Sequence, residues 1–188
     1  MEAAAKKARF LINEDNLFRR VNDLAGCRLL HLYTRQFGDI DRALVRIFRE
    51  QRYRVLEKAK ARTWDDESRE YFRSTGVGVV NSKTMYTSVH YVLMPNQTSE
   101  LTLELQVRTL AEEVWGEVDH TINYPHPSKN VPCVEQIKVL ARLTSSCSRL
   151  VDSIFKAHEH AGDLRLGNAG RSDGPAKKRA PSRRPKPK

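Results

Sequence analysis

Hydrophobic and polar positions alternate along residues 86–109 in a way that predicts two strands. In Glu104-Leu105-Gln106-Val107-Arg108-Thr109 a carboxylate, an amide and a guanidinium share one face, while Leu101, Leu103, Leu105 and Val107 take the other. Upstream, Tyr86, Ser88 and His90 share one face of an extended chain and Thr87, Val89 and Tyr91 share its reverse. Between them, Pro95-Asn96-Gln97-Thr98-Ser99 has turn chemistry. The pattern predicts an antiparallel hairpin. If its register aligns the polar faces, a ring, a hydroxyl, an imidazole, a carboxylate and an arginine meet on one concave side. Such a set is too polar for ordinary sheet cover and reads as a site.

The remaining chain alternates helical and extended patterns. Met1–Arg9 is an Ala/Lys-rich helix fragment. After Asn13 and Asp15, either of which can cap, Leu17, Phe18 and Val21 predict a short helical turn. Cys27–Tyr33 is a strongly apolar run suited to a central strand. Asp39–Gln51 predicts an amphipathic helix with Ile40, Leu44, Ile47 and Phe48 on its stripe. Tyr53–Glu57 is a second strand candidate. Lys58–Arg73 is charge-rich, with a helix start at Trp64-Asp65-Asp66-Glu67. Gly76, Gly78, Asn81 and Ser82 predict a loop. A helix from Thr109 to Tyr124 ends at Pro125 and Pro127. A long helix from Val131 to about His158 carries Ile137, Leu140, Leu143, Cys147, Leu150, Val151 and Ile154, and is expected to pack that stripe across the domain. The class is α/β or α+β with a mixed sheet.

Composition narrows the organisation. At 188 residues and 39% hydrophobic content, the chain suits one core-forming domain plus a tail. The expected divisions are a helix fragment over 1–12, a folded domain over 13–160 and a tail over 161–188. No apolar run approaches the ~20 residues of a membrane span, and no apolar signal core opens the chain, so a cytoplasmic protein is expected. Cys27, Cys133 and Cys147 are odd in number and widely spaced, and are expected to be buried thiols.

The net charge of +10 is uneven. Residues 163–188 hold nine Lys/Arg against Asp163 and Asp173, a net of +7, which leaves +3 for residues 1–162. With four prolines and little apolar content, that tail is expected to be disordered. It either contacts RNA, ribosomes or acidic surfaces by counterion release or serves only solubility.

The candidate chemistry extends beyond the hairpin. Asp23 enters the first strand five residues before Arg28. With Glu104 it could hold Mg²⁺, which keeps several waters and takes further ligands from phosphate oxygens; taken alone, it reads more often as a helix cap or a surface carboxylate. Glu117 and His120 form one E-x-x-H turn, but a di-iron bundle needs a second such turn. His120 is either a helix histidine near a nucleotide or a structural histidine packed with Tyr124. Trp115 reads as core.

Asp23-Leu24-Ala25-Gly26-Cys27-Arg28, Tyr86-Thr87-Ser88-Val89-His90, Glu104-Leu105-Gln106-Val107-Arg108-Thr109 and Trp115 with His120 resemble, in order and spacing, the motifs of the RelA/SpoT family of alarmone synthetases. The resemblance spans about residues 13–158. It implies a nucleotidyltransferase-like fold that transfers pyrophosphate from ATP to the 3′-hydroxyl of GDP or GTP, giving AMP and ppGpp or pppGpp. It further implies that Asp23 is a Mg²⁺ ligand and that Glu104 is a second metal-facing carboxylate and the base for the 3′-hydroxyl. By the same likeness Tyr86 stacks on guanine, Ser88, His90 and Gln106 line the acceptor site, and Arg28 and Arg108 answer phosphate charge with a fork geometry that lysine lacks.

Two departures qualify the likeness. Family members usually carry a longer helical region ahead of the Asp motif with a basic clamp for ATP, whereas 22 residues precede Asp23 here. Lys6, Lys7 and Arg9 do not match that clamp, and Arg69, Arg73 or Lys83 could replace it. Met85 stands where many relatives have Gly before the stacking Tyr. No separate hydrolase domain is expected within these 188 residues. Three other readings stay open: a catalytically silent guanine-nucleotide module, a family member acting on another acceptor such as a tRNA 3′ end, and a ribosome- or RNA-associated interaction protein. The long helix's stripe could also pack against a second subunit.

Overall fold

The computed structural model describes residues 12–14, 16–21 and 23–169. The expected N-terminal fragment at Met1–Arg9 and the part of the expected tail beyond residue 169 lie outside the described residues, whereas residues 161–169, expected to belong to the disordered tail, are helical. In chain order the elements are α1 (Leu17–Arg20), β1 (Ala25–His31), α2 (Gln36–Glu50), β2 (Arg54–Thr63), α3 (Asp66–Ser74), β3 (Gly78–Asn81), β4 (Ser88–Met94), β5 (Leu103–Thr109), α4 (Leu110–Asn123) and α5 (Val131–Ala169). The class is mixed α/β, as expected.

The strands form one sheet in the order β1-β5-β4-β2-β3. β4 pairs antiparallel with both β5 and β2, so the predicted hairpin forms, while β1 runs parallel to β5 and β3 parallel to β2. Its apolar face takes Val89, Tyr91 and Leu93 from β4 and Leu105 and Val107 from β5, against Phe37, Leu44 and Phe48 of α2 and Phe72 of α3. Phe37 meets Phe72 edge-to-face at 5.3 Å, and Phe48 meets Tyr91 at 5.8 Å, the geometry that the ring quadrupoles favour. Burying each such ring stabilises the domain by roughly 1.5–3 kcal/mol.

Several expectations need correction. β1 is an edge strand, not a central one: Leu29 packs on the core while Leu30 and Leu32 are exposed. An apolar run alone does not distinguish burial on two faces from burial on one. β2 continues past Glu57 to Thr63, and Gly78–Asn81, read as loop, is a strand parallel to it. Leu101 lies outside β5 and is exposed. Cys27 and Cys147 are exposed and Cys133 is half-buried, all three as free thiols, so the expected burial does not hold.

The chain divides into two compact units, Met1–Asp152 and Ser153–Lys188. Within the first, α5 buries Ile137 and Ala141 beside Trp115, but Leu143 and Leu150 from the expected stripe are exposed. The buried face is hydroxyl-rich instead. Ser145 Oγ, Ser68 Oγ and Arg149 Nη1 all donate to Asp65 Oδ2, at 3.0, 3.1 and 2.6 Å, and Ser148 pairs with Thr109 at 3.0 Å. Each buried hydroxyl thereby keeps a partner, which removes the penalty that favours apolar residues there. In the second unit the described residues, 153–169, continue α5, with Ile154 exposed. No described helix is long and apolar enough to cross a membrane.

Candidate functional site

The strand registers bring four polar side chains into one row across the sheet. Lys60 of β2 pairs with His90 of β4, His90 with Gln106 of β5, and Gln106 with Arg28 of β1. In the adjacent row Glu57, Val92, Glu104 and Gly26 follow in the same strand order. Because side chains alternate between sheet faces, the core residues Val89, Leu105 and Val107 force this polar set onto the opposite face. The alternation seen in the sequence is therefore the site's scaffold.

A closed hydrogen-bond network joins the set. Glu104 Oε1 lies 2.5 Å from His90 Nδ1, and Gln106 Nε2 donates to Glu104 Oε2 at 2.9 Å. Tyr86 Oη lies 3.2 Å from His90 Nε2 and 3.3 Å from Gln106 Oε1. A carboxylate only accepts, so Nδ1 carries the proton toward Glu104, while the single Tyr86 hydroxyl hydrogen is donated to the Gln106 amide oxygen, which also only accepts. The bond from His90 holds the Glu104 carboxyl below the usual carboxylate range, with Gln106 assisting and partial burial opposing. Glu104 is thus ionised at neutral pH.

Arg108 stands beside Tyr86, and Arg28 shares a glutamate with it. Arg108, on β5 and buried, places its guanidinium 5.6 Å from the Tyr86 ring centroid and forms an ion pair through Nη2 with Glu113 Oε2 of α4. Glu113 Oε1 also accepts from Arg28 Nη1 at 2.9 Å, and the same nitrogen donates to Glu117 Oε1 at 2.5 Å. Thr109 makes this possible. It ends β5 and caps α4, its hydroxyl accepting from the Glu112 N–H at 3.2 Å, so the helix bearing both glutamates starts directly after the site's strand. At Gly116 a Cβ would stand 2.9 Å from Arg108 Nη1; its absence lets the helix approach the guanidinium.

Two of the cavities on this face flank the network. One of about 640 Å³ is lined by Arg28, Tyr86, Gln106, Arg108, Trp115 and His120, among others, a size suited to a small ligand. The other, of about 200 Å³, is lined by Asp23, Glu57, Lys60, Arg62, His90, Val92 and Glu104. His120 stacks on Tyr124 at 4.5 Å and 14° while lining the larger cavity, so its two sequence readings are compatible. Trp115 is buried, its Nε1 donating to Ile137 O at 3.0 Å, and belongs to the core as expected. Ser88 stands apart. It is buried, its hydroxyl donates to Val107 O at 3.4 Å, and it lines a small enclosed cavity with Thr109 and Glu112.

Asp23 and Glu104 line the cavity of about 200 Å³ together with Glu57, and both also line a third cavity, of about 470 Å³, with Gly26 and Arg28. Among the described residues no group of three or more His, Cys, Asp or Glu side chains could hold a metal. The donor set fits a hard cation that keeps waters and takes other oxygens from its substrate.

Sequence reasoning missed Lys60, Arg62 and Glu113, and it singled out Glu117 beside His120 without finding its bond to Arg28. The first two were legible: Lys58-Ala59-Lys60-Ala61-Arg62-Thr63 alternates strictly, a strand signal hidden by its charge. Among the proposed clamp residues, Arg69 is engaged by Trp64 O and Asp66, and Arg69, Arg73 and Lys83 line neither cavity. Met85 packs against the Trp115 cluster. Among the described residues the non-glycine with positive φ is Arg52, so Met85 does not adopt the backbone that would require glycine.

The fold and the motifs have relatives. GTP pyrophosphokinase YjbM of Bacillus subtilis is 38% identical over 71 residues, which cover 35% of this chain and 32% of that protein; the match thus spans about a third of the relative's length. A GTP pyrophosphokinase family protein from Streptococcus pneumoniae shares the fold with a TM-score of 0.57 at 19% identity, over 86% of this chain and 73% of that one. Small alarmone synthetase 1 of Bacillus subtilis, bound to its product pppGpp, does so with a TM-score of 0.52 at 21% identity, over 86% and 74% of the two chains. Residues 3–129 match the family model described as the region found in RelA / SpoT proteins, more than half of the sequence, and the chain belongs to the RelA/SpoT family.

Proposed function

We propose that this domain transfers a pyrophosphoryl group from ATP to the 3′-hydroxyl of GDP or GTP, releasing AMP and forming ppGpp or pppGpp. The observation that carries the reading is the Tyr86-His90-Glu104-Gln106 network between a cavity of about 640 Å³ and a charged one of about 200 Å³. It puts an aromatic platform and an ionised carboxylate on one sheet face, within a family whose named relatives include a GTP pyrophosphokinase.

In this reading guanine stacks on Tyr86 in the larger cavity, with His120 on the cavity wall. Arg28 and Arg108 meet the acceptor's 5′-phosphates, and Gln106 and His90 orient the ribose. Ser88 acts from beneath, holding the backbone at Val107. The acceptor's 3′-oxygen attacks the β-phosphorus of ATP. The new O3′–Pβ bond forms as the Pβ–O bond to the α-phosphate breaks, and AMP leaves with the bonding pair. Glu104 receives the 3′-hydroxyl proton, and the His90 contact at 2.5 Å orients the carboxylate for it. Asp23 and Glu104 would hold Mg²⁺, whose bound state neutralises charge on the transferring group. Lys60 and Arg62, flanking Glu104 in the charged cavity, supply cationic groups for the donor triphosphate.

The test is incubation of the purified chain with Mg²⁺, ATP and, separately, GDP, GTP or tRNA. AMP with a 3′-pyrophosphorylated guanosine, absent from Asp23→Asn, supports the reading. Guanine-nucleotide binding without AMP replaces it with a silent module, and AMP formed only with tRNA changes the acceptor.

A further inference from the structure

Arg28 carries more carboxylate than its charge requires. Its Nη1 donates to Glu113 Oε1 at 2.9 Å and to Glu117 Oε1 at 2.5 Å, and Glu113 also pairs with Arg108. Two guanidinium and two carboxylate charges therefore cancel at the wall of the larger cavity, which includes Arg28, Arg108 and Glu117. A phosphate approaching this wall meets a neutral cluster rather than two free cations.

The two glutamates differ in how readily they can leave. Glu113 is mostly covered, with a side chain 18% exposed, and bridges to Arg108, whose side chain is 4% exposed. Withdrawing it strands a buried guanidinium without its counter-charge, which is strongly unfavourable. The Glu117 side chain is 54% exposed and its Arg28 partner 48%. Exposed pairs of this kind contribute little, because water replaces the lost contact. An incoming phosphate, with a geometry matched to the guanidinium fork, can therefore displace Glu117 while Glu113 continues to hold both arginines.

We propose that Glu117 is a displaceable stand-in for phosphate on Arg28, an internal competitor that anionic ligands of the larger cavity must evict. The proposal rests on the nucleotide reading above and adds a specificity element to it: the competition acts on ligand phosphates and not on the nucleoside. Glu117→Gln keeps the size of the side chain and removes the competing charge. It should tighten binding of phosphorylated ligands by about two- to fivefold, the range set by an exposed ion pair, and leave guanosine unaffected.

The experiment is calorimetric titration of the full chain with GTP, guanosine and inorganic tripolyphosphate at constant ionic strength. The proteins are the wild type, Glu117→Gln, Arg28→Gln and the double variant. The expected result is tighter GTP and tripolyphosphate binding to Glu117→Gln, unchanged guanosine binding, and no gain from Glu117→Gln in the Arg28→Gln background. Equal GTP affinity in wild type and Glu117→Gln overturns the proposal and leaves the nucleotide reading standing. A gain that persists without Arg28, or that extends to guanosine, also overturns it, by showing a general field or a steric effect. Wild type that binds none of the three probes overturns both readings.

Discussion

His90 Nδ1 lies 2.5 Å from Glu104 Oε1 on the neighbouring strand, and the contact defines the ionisation and the aim of the carboxylate. The register pairs His90 with Gln106 and Val92 with Glu104, so the contact runs diagonally across two strands, a distance that long side chains span. His90→Ala removes the donor that holds Glu104 in place. Its transfer rate should fall by about 10²-fold, at the lower end of what positioned acid–base groups supply. Acceptor KM should change much less, and steady-state kinetics with varied GTP separates the two effects.

Tyr86 presents a ring to the larger cavity and a hydroxyl to His90 and Gln106. Loss of the ring in Tyr86→Ala should weaken guanine-nucleotide binding by roughly 1–3 kcal/mol, the range for bases stacked on aromatic side chains. Tyr86→Phe keeps the platform and loses the hydroxyl bonds, so its affinity should stay near wild type while turnover falls. Equilibrium binding and rate measurements on the two variants test this split. Equal affinity in wild type and Tyr86→Ala would take the ring out of the site.

The β4–β5 hairpin and its polar face were readable from residues 86–109 because period-2 alternation maps directly onto the two faces of a sheet. The same rule applied to Lys58–Thr63 would have extended β2 and found Lys60 and Arg62, but charge on every second residue resembled a solvated segment. The Glu113 bridge between Arg28 and Arg108 was not legible at all. It joins residues 85 positions apart in sequence, and nothing local marks one glutamate of α4 above another. Leu143 and Leu150 failed for the opposite reason. Their spacing fits a helical stripe, yet Ser145 and Ser148 occupy the buried face, with Ser145 bonded to Asp65 and Ser148 to Thr109.

Glu113 is expected to matter for stability as well as binding. Glu113→Gln leaves buried Arg108 without its counter-charge and should destabilise the domain by roughly 3 kcal/mol. Urea denaturation measures this. Replacing both partners with apolar residues, Glu113→Leu with Arg108→Met, should recover most of the loss, since no buried charge then remains.

Glu112 gives stability a pH dependence. Burial, reinforced by Asp65 and opposed by Arg108 and Arg149, pushes its carboxyl from near 4.5 up to about 8. Between those values the folded state holds a proton that the unfolded state has lost. Stability is therefore fully present below about 4.5, falls as pH rises toward about 8 and levels above it, with a slope approaching about 1.4 kcal/mol per pH unit. Buried His31, lowered from 6.5 by desolvation, acts in the opposite direction below 6.5, so the window from 6.5 to 8 isolates Glu112. Glu112→Gln should flatten the decline there in denaturation series run at stepped pH. A wild-type curve already flat across that window would contradict the protonated carboxyl.

The most direct measurement follows label from the β-phosphate of ATP in the presence of Mg²⁺ and GTP, for wild type and Glu104→Gln, with GTP affinity measured in parallel. The account predicts label at the 3′ position of the guanosine product for wild type. It predicts a rate lower by about 10²–10⁴-fold for Glu104→Gln, with GTP affinity little changed. Transfer by Glu104→Gln at the wild-type rate, or no transfer by a wild-type chain that binds GTP, would contradict it.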